Sequence, residues 1–313
     1  MPRYREEQLL AVAHFYYEKG LTQEEIAKRL EVSRVSVTRM LKKAKDEGLV
    51  QITIKKPLPV DYELSLQLER KFNLHTTKVV PTMESYDETL GVIGKAGAEF
   101  LCMATRPKWR IGVAWSRTVN SILPHIKQAH PRLDCKINDL AGTYLAPHLP
   151  YSVSWQLAEK LNVPLESIPL PVFLKNEEAR KVMMKEELIH TGLANALKVD
   201  LALVGVGNVS EDSSLTKSGY ITHLQMEEIR AKGAVGDILM RYFDCQGQHV
   251  PMSFEDQVIS LRWEEIRRLS CIVVMAFGEE KRVALRGLLR GGVVHGVITD
   301  RETAEYLIVS DEK

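Results

Sequence analysis

The stretch Thr22–Ile54, TQEEIAKRLEVSRVSVTRMLKKAKDEGLVQITI, decides how the N-terminal part of this 313-residue chain is read. Thr22 followed by Glu25 is the signature of a capping box, in which two unpaired backbone donors at a helix start are satisfied reciprocally. Ile26, Ala27 and Leu30 then form a narrow apolar stripe. Glu31-Val32-Ser33 interrupts it: Val32 is suited to plug the space between two helices, and Ser33 to cap the next one. In that second helix Val37, Met40, Leu41 and Ala44 share an inward face. Arg34, Ser36, Thr38, Arg39, Lys42, Lys43 and Lys45 occupy the outer one, with no acid before Asp46. Gly48 ends the helix, and Val50, Ile52 and Ile54 alternate as a half-buried strand does. The pattern predicts a helix-turn-helix followed by a wing.

A second helix of this kind lays its N-terminal residues against base edges in the major groove of duplex DNA. Arginine is the commonest reader of guanine, while serine and threonine contact bases or phosphates. The candidate contacts are therefore Thr22 and Gln23 at the start of the first helix, Ser33, Arg34, Ser36, Thr38 and Arg39 on the second, and Lys42 and Lys43 further along it. The plain alternative is a solvated basic helix in an ordinary helical subdomain, which needs no coincidence of capping box, three-residue turn and glycine stop. The turn often contains glycine; here Glu31 is predicted to take the left-handed conformation, at some strain.

Outside this stretch the composition sets limits. At 45% apolar residues the chain is long enough for two domains. The net charge of +1 conceals an asymmetry: residues 1–60 hold twelve Lys/Arg against eight Asp/Glu, which leaves the remainder slightly acidic. A small basic module on a larger acidic body suits a nucleic-acid reader joined to a sensor. Cys102, Cys135, Cys245 and Cys271 are far apart and form no metal-ligand pair, so they read as buried thiols of a reducing cytoplasm; no metal or cofactor is expected. Neither a signal peptide nor an apolar run long enough for a membrane span is present, which predicts a cytoplasmic protein.

Residues 5–18 read as a first helix with Leu9, Ala13, Tyr16 and Tyr17 on one side. The predicted organisation is a DNA-binding domain over 1–56, a linker and helix over 57–74, and a ligand-binding domain over 75–313. Pro57 and Pro59 break the chain between the first two. The helix after them, with Tyr62, Leu64, Leu66 and Leu68, either self-associates or docks on the body. Beyond His75, apolar runs at 78–80, 111–114, 137–140, 168–173, 201–206, 272–277 and 294–299 alternate with helical patterns at 89–103, 117–130, 154–161, 177–197, 280–289 and 301–308. The fold class is α/β, with a mostly parallel sheet covered on both faces.

Ligands bind such sheets outside the carboxyl ends of the strands. At the first such end, Gly112 to Thr118, a strand runs into a helix at Ser116-Arg117-Thr118. Backbone donors, two hydroxyls and a guanidinium there would cradle an anion, and Trp115 either stacks on a ligand or packs. Gly142 and Thr143 open a second loop. Gly205-Val206-Gly207 permits close backbone approach, or simply makes a tight turn. Gly278 precedes a helix whose first turn carries Lys281, a place where cations are disfavoured unless an anion joins them. Asp237, an acid in an apolar stretch just before a predicted strand, suits sugar hydroxyls or a turn.

With these residues in place the chain resembles the SorC/DeoR-type sugar-responsive bacterial transcriptional regulators over essentially its whole length. The matching runs are LTQEEIAKRLEVSRVSVTRMLKKAKDEGLVQI, GVAWSRTV, DLALVGVGNV, SGYIT, GAVGDILMRYFDCQG and FGEEKRVALRGLLRGGVVHGVITDRETAEYLI. The resemblance implies a C-terminal domain akin to ribose-5-phosphate isomerase and glucosamine-6-phosphate deaminase. It also implies tetramers and a sugar, polyol or phosphosugar effector that alters operator binding in carbohydrate metabolism. By the same resemblance Ser116, Arg117, Thr118 and Lys281 form a phosphate cradle and Asp237 faces the sugar. The family usually carries glycine where this chain has Ser116 and Phe277, so an unphosphorylated polyol stays open beside a phosphosugar. The competing class is a sugar-phosphate isomerase or deaminase with a DNA-binding appendage. Its acid-rich DGADE-like run is absent, and the nearest counterpart, Asn138-Asp139-Leu140-Ala141-Gly142, offers one acid.

Overall fold

The computed structural model describes residues 5–50, 60–126, 134–144, 152–174 and 176–309. It divides into two compact units, Met1–Leu58 and Pro59–Lys313.

In the first unit α1 (Glu6–Ala13) runs into a π turn, His14–Glu18, and is followed by α2 (Gln23–Arg29) and α3 (Arg34–Asp46). The predicted capping box is formed: Glu25 N–H donates to Thr22 Oγ1 at 3.3 Å, and Thr22 N–H donates to the Glu25 carboxylate at 2.8 Å. Ser33 caps α3 by accepting from Ser36 N–H at 3.1 Å. Glu31 takes φ 54° and Gly48 φ 74°, so each helix is closed by one left-handed residue. Leu9, Val12 and Ala13 from α1, Ile26 and Ala27 from α2, and Val37, Met40, Leu41 and Ala44 from α3 make one buried core, with Val32 packed against it. The expected inward placement of Tyr16 and Tyr17 is corrected: they are 36% and 39% exposed. The π turn spends an extra residue per turn, closing Lys19 N–H on His14 C=O, and brings Phe15 to the core instead. Of the expected wing, 51–54 lies outside the described residues, as does the proline linker.

The second unit opens with α4 (Tyr62–Phe72), β1 (Thr76–Val80), α5 (Tyr86–Ala104), β2 (Trp109–Val113), α6 (Arg117–Asn120), β3 (Cys135–Asp139), α7 (Val153–Leu161) and β4 (Leu165–Glu166). It continues through α8 (Glu177–Met183), α9 (Glu187–Ala196), β5 (Leu201–Val204), β6 (Gly207–Asn208), α10 (Ser214–Lys217), α11 (His223–Ala231), β7 (Gly236–Ile238) and β8 (Arg241–Phe243). It closes with α12 (Trp263–Ile266), β9 (Ile272–Met275), α13 (Glu279–Arg290), β10 (Gly296–Asp300) and α14 (Arg301–Val309). Seven parallel strands lie in the order β1-β10-β9-β5-β2-β3-β4, and β6-β7-β8 form a separate antiparallel sheet. Every residue of β5, β9 and β10 is buried, as a sheet covered on both faces requires.

Four sequence expectations are corrected. Of the four cysteines expected to be buried, only Cys135 is; Cys102 and Cys271 are half-buried, and Cys245 is exposed. The run 168–173 is not a strand: Pro169 and Pro171 have no N–H to give a ladder, and the segment makes only isolated bridges at Pro171 and Phe173. The seventh strand is instead the two-residue β4. The helix expected over 117–130 is one turn of α6 followed by a 3-10 turn, Leu123–His125, that holds Pro124; 127–130 lie outside the described residues. The helix expected over 177–197 breaks into α8 and α9 between Met183 and Glu187, where no glycine or proline explains the break. Helix α4 docks on the body, burying Leu68 against the main core and joining Asp61 to Arg301 at 2.6 Å, while Tyr62 and Leu66 stay outside.

Candidate functional site

The chain places two surfaces with chemistry, one in each unit. On α3, Arg34, Thr38, Arg39 and Lys42 are exposed, and Ser36 and Lys43 are half-buried. Four of the predicted contacts are engaged within the motif itself. Thr38 Oγ1 donates to Gln23 Oε1 at 2.7 Å, which fastens the start of α2 to α3. Thr22 and Ser33 spend their hydroxyls as caps. Lys43 pairs with Glu47 at 3.5 Å. Val35, passed over in the sequence, is 58% exposed beside Arg34; an apolar side chain there is suited to a thymine methyl.

In the second unit the strand order reverses at β2, whose neighbours are β3 on one side and β5 on the other. A crevice opens at such a reversal. The strand ends meet closely: a Cβ on Gly205, after β5, would lie 2.3 Å from Ser116 Oγ, after β2. Ser116 is the cap of α6 and accepts from Val119 N–H at 3.3 Å. Arg117 does not point freely outward; its guanidinium donates to Asp87 at 2.8 Å and lies 4.6 Å above the Tyr86 ring. Tyr86 in turn packs on Phe277, 4.8 Å between rings. Thr118 is half-buried, and only its backbone carbonyl is engaged, by Ser121 Oγ at 2.6 Å.

Asp237 lies inside β7, not before a strand, and is 6% exposed. Its Oδ2 accepts from Met240 N–H at 3.0 Å, while its Oδ1 has no hydrogen-bond partner. The carboxylate lies across Gly207 so closely that a Cβ there would stand 1.8 Å from Oδ1. Only glycine fits opposite this acid. Burial raises the Asp237 pKa to about 6, against the Met240 N–H and the Lys281 ammonium, which both pull it down. Burial likewise lowers the Lys281 pKa, against the pull of Asp237 and Glu280. The Tyr242 hydroxyl, cross-strand from Asp237, is also buried without a partner. An unpaired carboxylate oxygen and an unpaired hydroxyl on cross-strand partners each call for an explanation, and a ligand is one.

Gly278, with φ 91°, caps α13, and its N–H donates to Thr303 Oγ1 at 3.1 Å. The Glu280 carboxylate folds back over it, 2.9 Å from where a Cβ on Gly278 would be. Trp115 stacks on Tyr144 at 5.6 Å, and Tyr144 packs at a tilt against Tyr220 at 4.6 Å. Trp115, Gly142, Thr143 and Tyr144 line a small cleft together with Asp139 and Ser154. Gly142 is needed there because a Cβ would meet Leu170 C=O at 2.7 Å. Gly112 stands apart from the crevice: it lies within β2, against the Leu140 side chain, where it serves packing. Asp139, the one acid offered for catalysis, is tied down by Ser154 Oγ and by Ile168 N–H at 2.9 Å. Tyr144, Tyr220 and the adjacent pair Tyr86-Asp87 at the start of α5 were not singled out in the sequence; they lie in three separate stretches, and no spacing relates them.

This arrangement, a basic helix-turn-helix and an α/β unit with a polar crevice at its switch point, is that of a ligand-sensing DNA-binding regulator. The family model "Putative sugar-binding domain" matches residues 57–309, and the MarR family model matches residues 5–54. The chain belongs to the SorC-type, sugar-binding transcriptional regulators, and it is a regulator, not an enzyme. It is similar to the full-length sorbitol operon regulator SorC from Klebsiella pneumoniae, at 26% identity and a TM-score of 0.74 over 96% of this chain and 98% of that one. The erythritol catabolism regulatory protein EryD of Brucella abortus (strain 2308) is 29% identical over 96% of this chain and 95% of its own. The transcriptional regulator LsrR of Enterobacter sp. (strain 638) is 27% identical over 97% of this chain and 93% of its own. No helix among the described residues is long and apolar enough to cross a membrane.

Proposed function

We propose that this chain binds operator DNA of a carbohydrate or polyol catabolic operon through α3, and that an effector in the crevice between β2, β5 and β7 sets its operator affinity. The observation that carries the reading is Asp237: a carboxylate buried to 6% exposure with Oδ1 unpartnered, cross-strand from a tyrosine whose hydroxyl is also unpartnered and within electrostatic reach of the half-buried Lys281. Such groups are costly in a folded protein unless a ligand satisfies them. The relatives named for sorbitol and erythritol operons point to the same ligand class. We assign DNA contact to Arg34, Ser36, Arg39 and Lys42, with Gln23 and Thr38 holding the two helices in register. The protein acts in the bacterial cytoplasm as a homo-oligomer, a tetramer by the family resemblance, because paired half-sites need at least two copies of α3.

An effector shifts operator affinity only by its differential binding to two arrangements of the protein, a coupling of roughly 1–3 kcal/mol in typical cases. The test is fluorescence anisotropy of the chain on DNA from its own upstream region, with and without sugars and polyols. A ligand that changes operator affinity in the intact chain and fails to do so in Lys281→Ala supports the reading. Operator binding that no sugar, polyol or phosphosugar alters would sink the effector half of it.

A further inference from the structure

Each cationic feature of the crevice is already matched by a carboxylate of this chain. Arg117 is engaged by Asp87 at 2.8 Å and laid flat on Tyr86. Lys281 is under the influence of both Asp237 and Glu280. The N-terminus of α13, where backbone donors would attract an anion, is overlain by the Glu280 carboxylate, and the Gly278 N–H is spent on Thr303. At α6 the Ser116 hydroxyl fills the space opposite Gly205 and caps the helix. Two cations thus face three carboxylates, and one of the three, Asp237, is buried in a strand and cannot swing away. A phosphate group would have to sit beside it.

The rest of the surroundings favours a different chemistry. Asp237 Oδ1 and the hydroxyl of its cross-strand partner Tyr242 are unpaired, one an acceptor and the other a group that donates or accepts. Lys281 supplies a donor at the same place. Trp115, Tyr144 and Tyr220 form a continuous aromatic cluster, stacked at its first contact and tilted at its second, within electrostatic reach of Asp237. Vicinal hydroxyls donate and accept at once, and the C–H faces of a carbon chain or sugar ring lie on aromatic rings.

Resting on the reading of the crevice as the effector site, we infer that the effector of this chain is an uncharged polyhydroxyl compound, a free polyol or sugar, and that Asp87 and Glu280 are the residues that exclude phosphate esters. Asp87 has a side chain 81% exposed, so it can be changed without threat to the fold. The experiment is calorimetric titration of the full chain, and of Asp87→Asn combined with Glu280→Gln, with matched pairs: erythritol and its 4-phosphate, ribitol and its 5-phosphate, glucitol and its 6-phosphate. Inorganic phosphate is run alongside. A free polyol should bind the unaltered chain at least about tenfold more tightly than its ester, and the double variant should bind the ester about tenfold better while its affinity for the free polyol barely moves. An ester that outbinds its free polyol in the unaltered chain overturns the inference and leaves the effector reading intact. Ester binding unmoved by the double substitution overturns the roles of Asp87 and Glu280. If none of the pairs binds at all, both the inference and the reading it rests on fall.

Discussion

Asp237 is the residue on which stability and sensing pull in opposite directions. Its folded-state pKa of about 6 lies above the ordinary 3.8, so the folded chain holds this proton more tightly than the unfolded one. The carboxyl therefore favours folding fully below pH ~4, and that contribution is lost as pH rises through 6. A shift of this size corresponds to at most about 3 kcal/mol. Asp237→Asn should accordingly be more stable than the parent at pH 7.5 in urea denaturation, with the gap closing by pH 4, and it should lose its response to effector. A variant less stable at pH 7.5 would mean that the carboxylate is compensated in a way its surroundings do not show. Of the residues that build this place, Asp237, Lys281 and Ser116 were legible because each is chemically out of character for its stretch. Gly207 looked like a weak turn signal; its necessity comes from a cross-strand neighbour thirty residues on, in an antiparallel sheet whose strands of two and three residues carry no readable period. The same short strands hid Tyr242.

At the scale of elements, the helix-turn-helix was the most legible part of the chain, since capping residues and the spacing of Val37, Met40, Leu41 and Ala44 act locally. Among the described residues of this unit, Glu31 is the one non-glycine residue with a left-handed backbone, at φ 54°. Replacement by glycine should stabilise the N-terminal unit by about 1 kcal/mol, read as a shift in its denaturation midpoint without change in slope. Ser33→Ala, which removes the α3 cap, should destabilise it by about as much. On the outer face of α3, Lys42→Ala should weaken binding to every DNA sequence and reduce the salt dependence by about one counterion, whereas Arg39→Ala should relax discrimination at particular bases. Equal losses on all sequences for both variants would refute this division. The π turn escaped the sequence reading because a helix pattern assumes constant pitch, and one extra residue moved Tyr16 and Tyr17 out and Phe15 in. The proline-bearing run at 168–173 was misread for a complementary reason: its apolar character was counted, and its missing donors were not.

For the whole molecule, two compact units with separate cores predict two unfolding events. Thermal denaturation followed by circular dichroism should resolve them, and a bound polyol should raise the transition of the 59–313 unit by mass action. A single transition that moves as a whole with ligand would show that the two cores unfold as one. The alternation of strand and helix made the parallel sheet legible from the sequence, but not its order, because pairing across the sheet joins residues that no local pattern connects. That order has a consequence for how the protein is made. β1 has β10 as its hydrogen-bonded neighbour in the sheet, and β10 at 296–300 leaves the ribosome long after β1 at 76–80. The DNA-reading unit is synthesised first and can be finished while the sheet edge beside β1 still waits for residues 296–300. A chain released early would therefore carry the reader without a completed sensor, and a stop codon late in the gene should produce a regulator deaf to its effector instead of a simple loss of the protein.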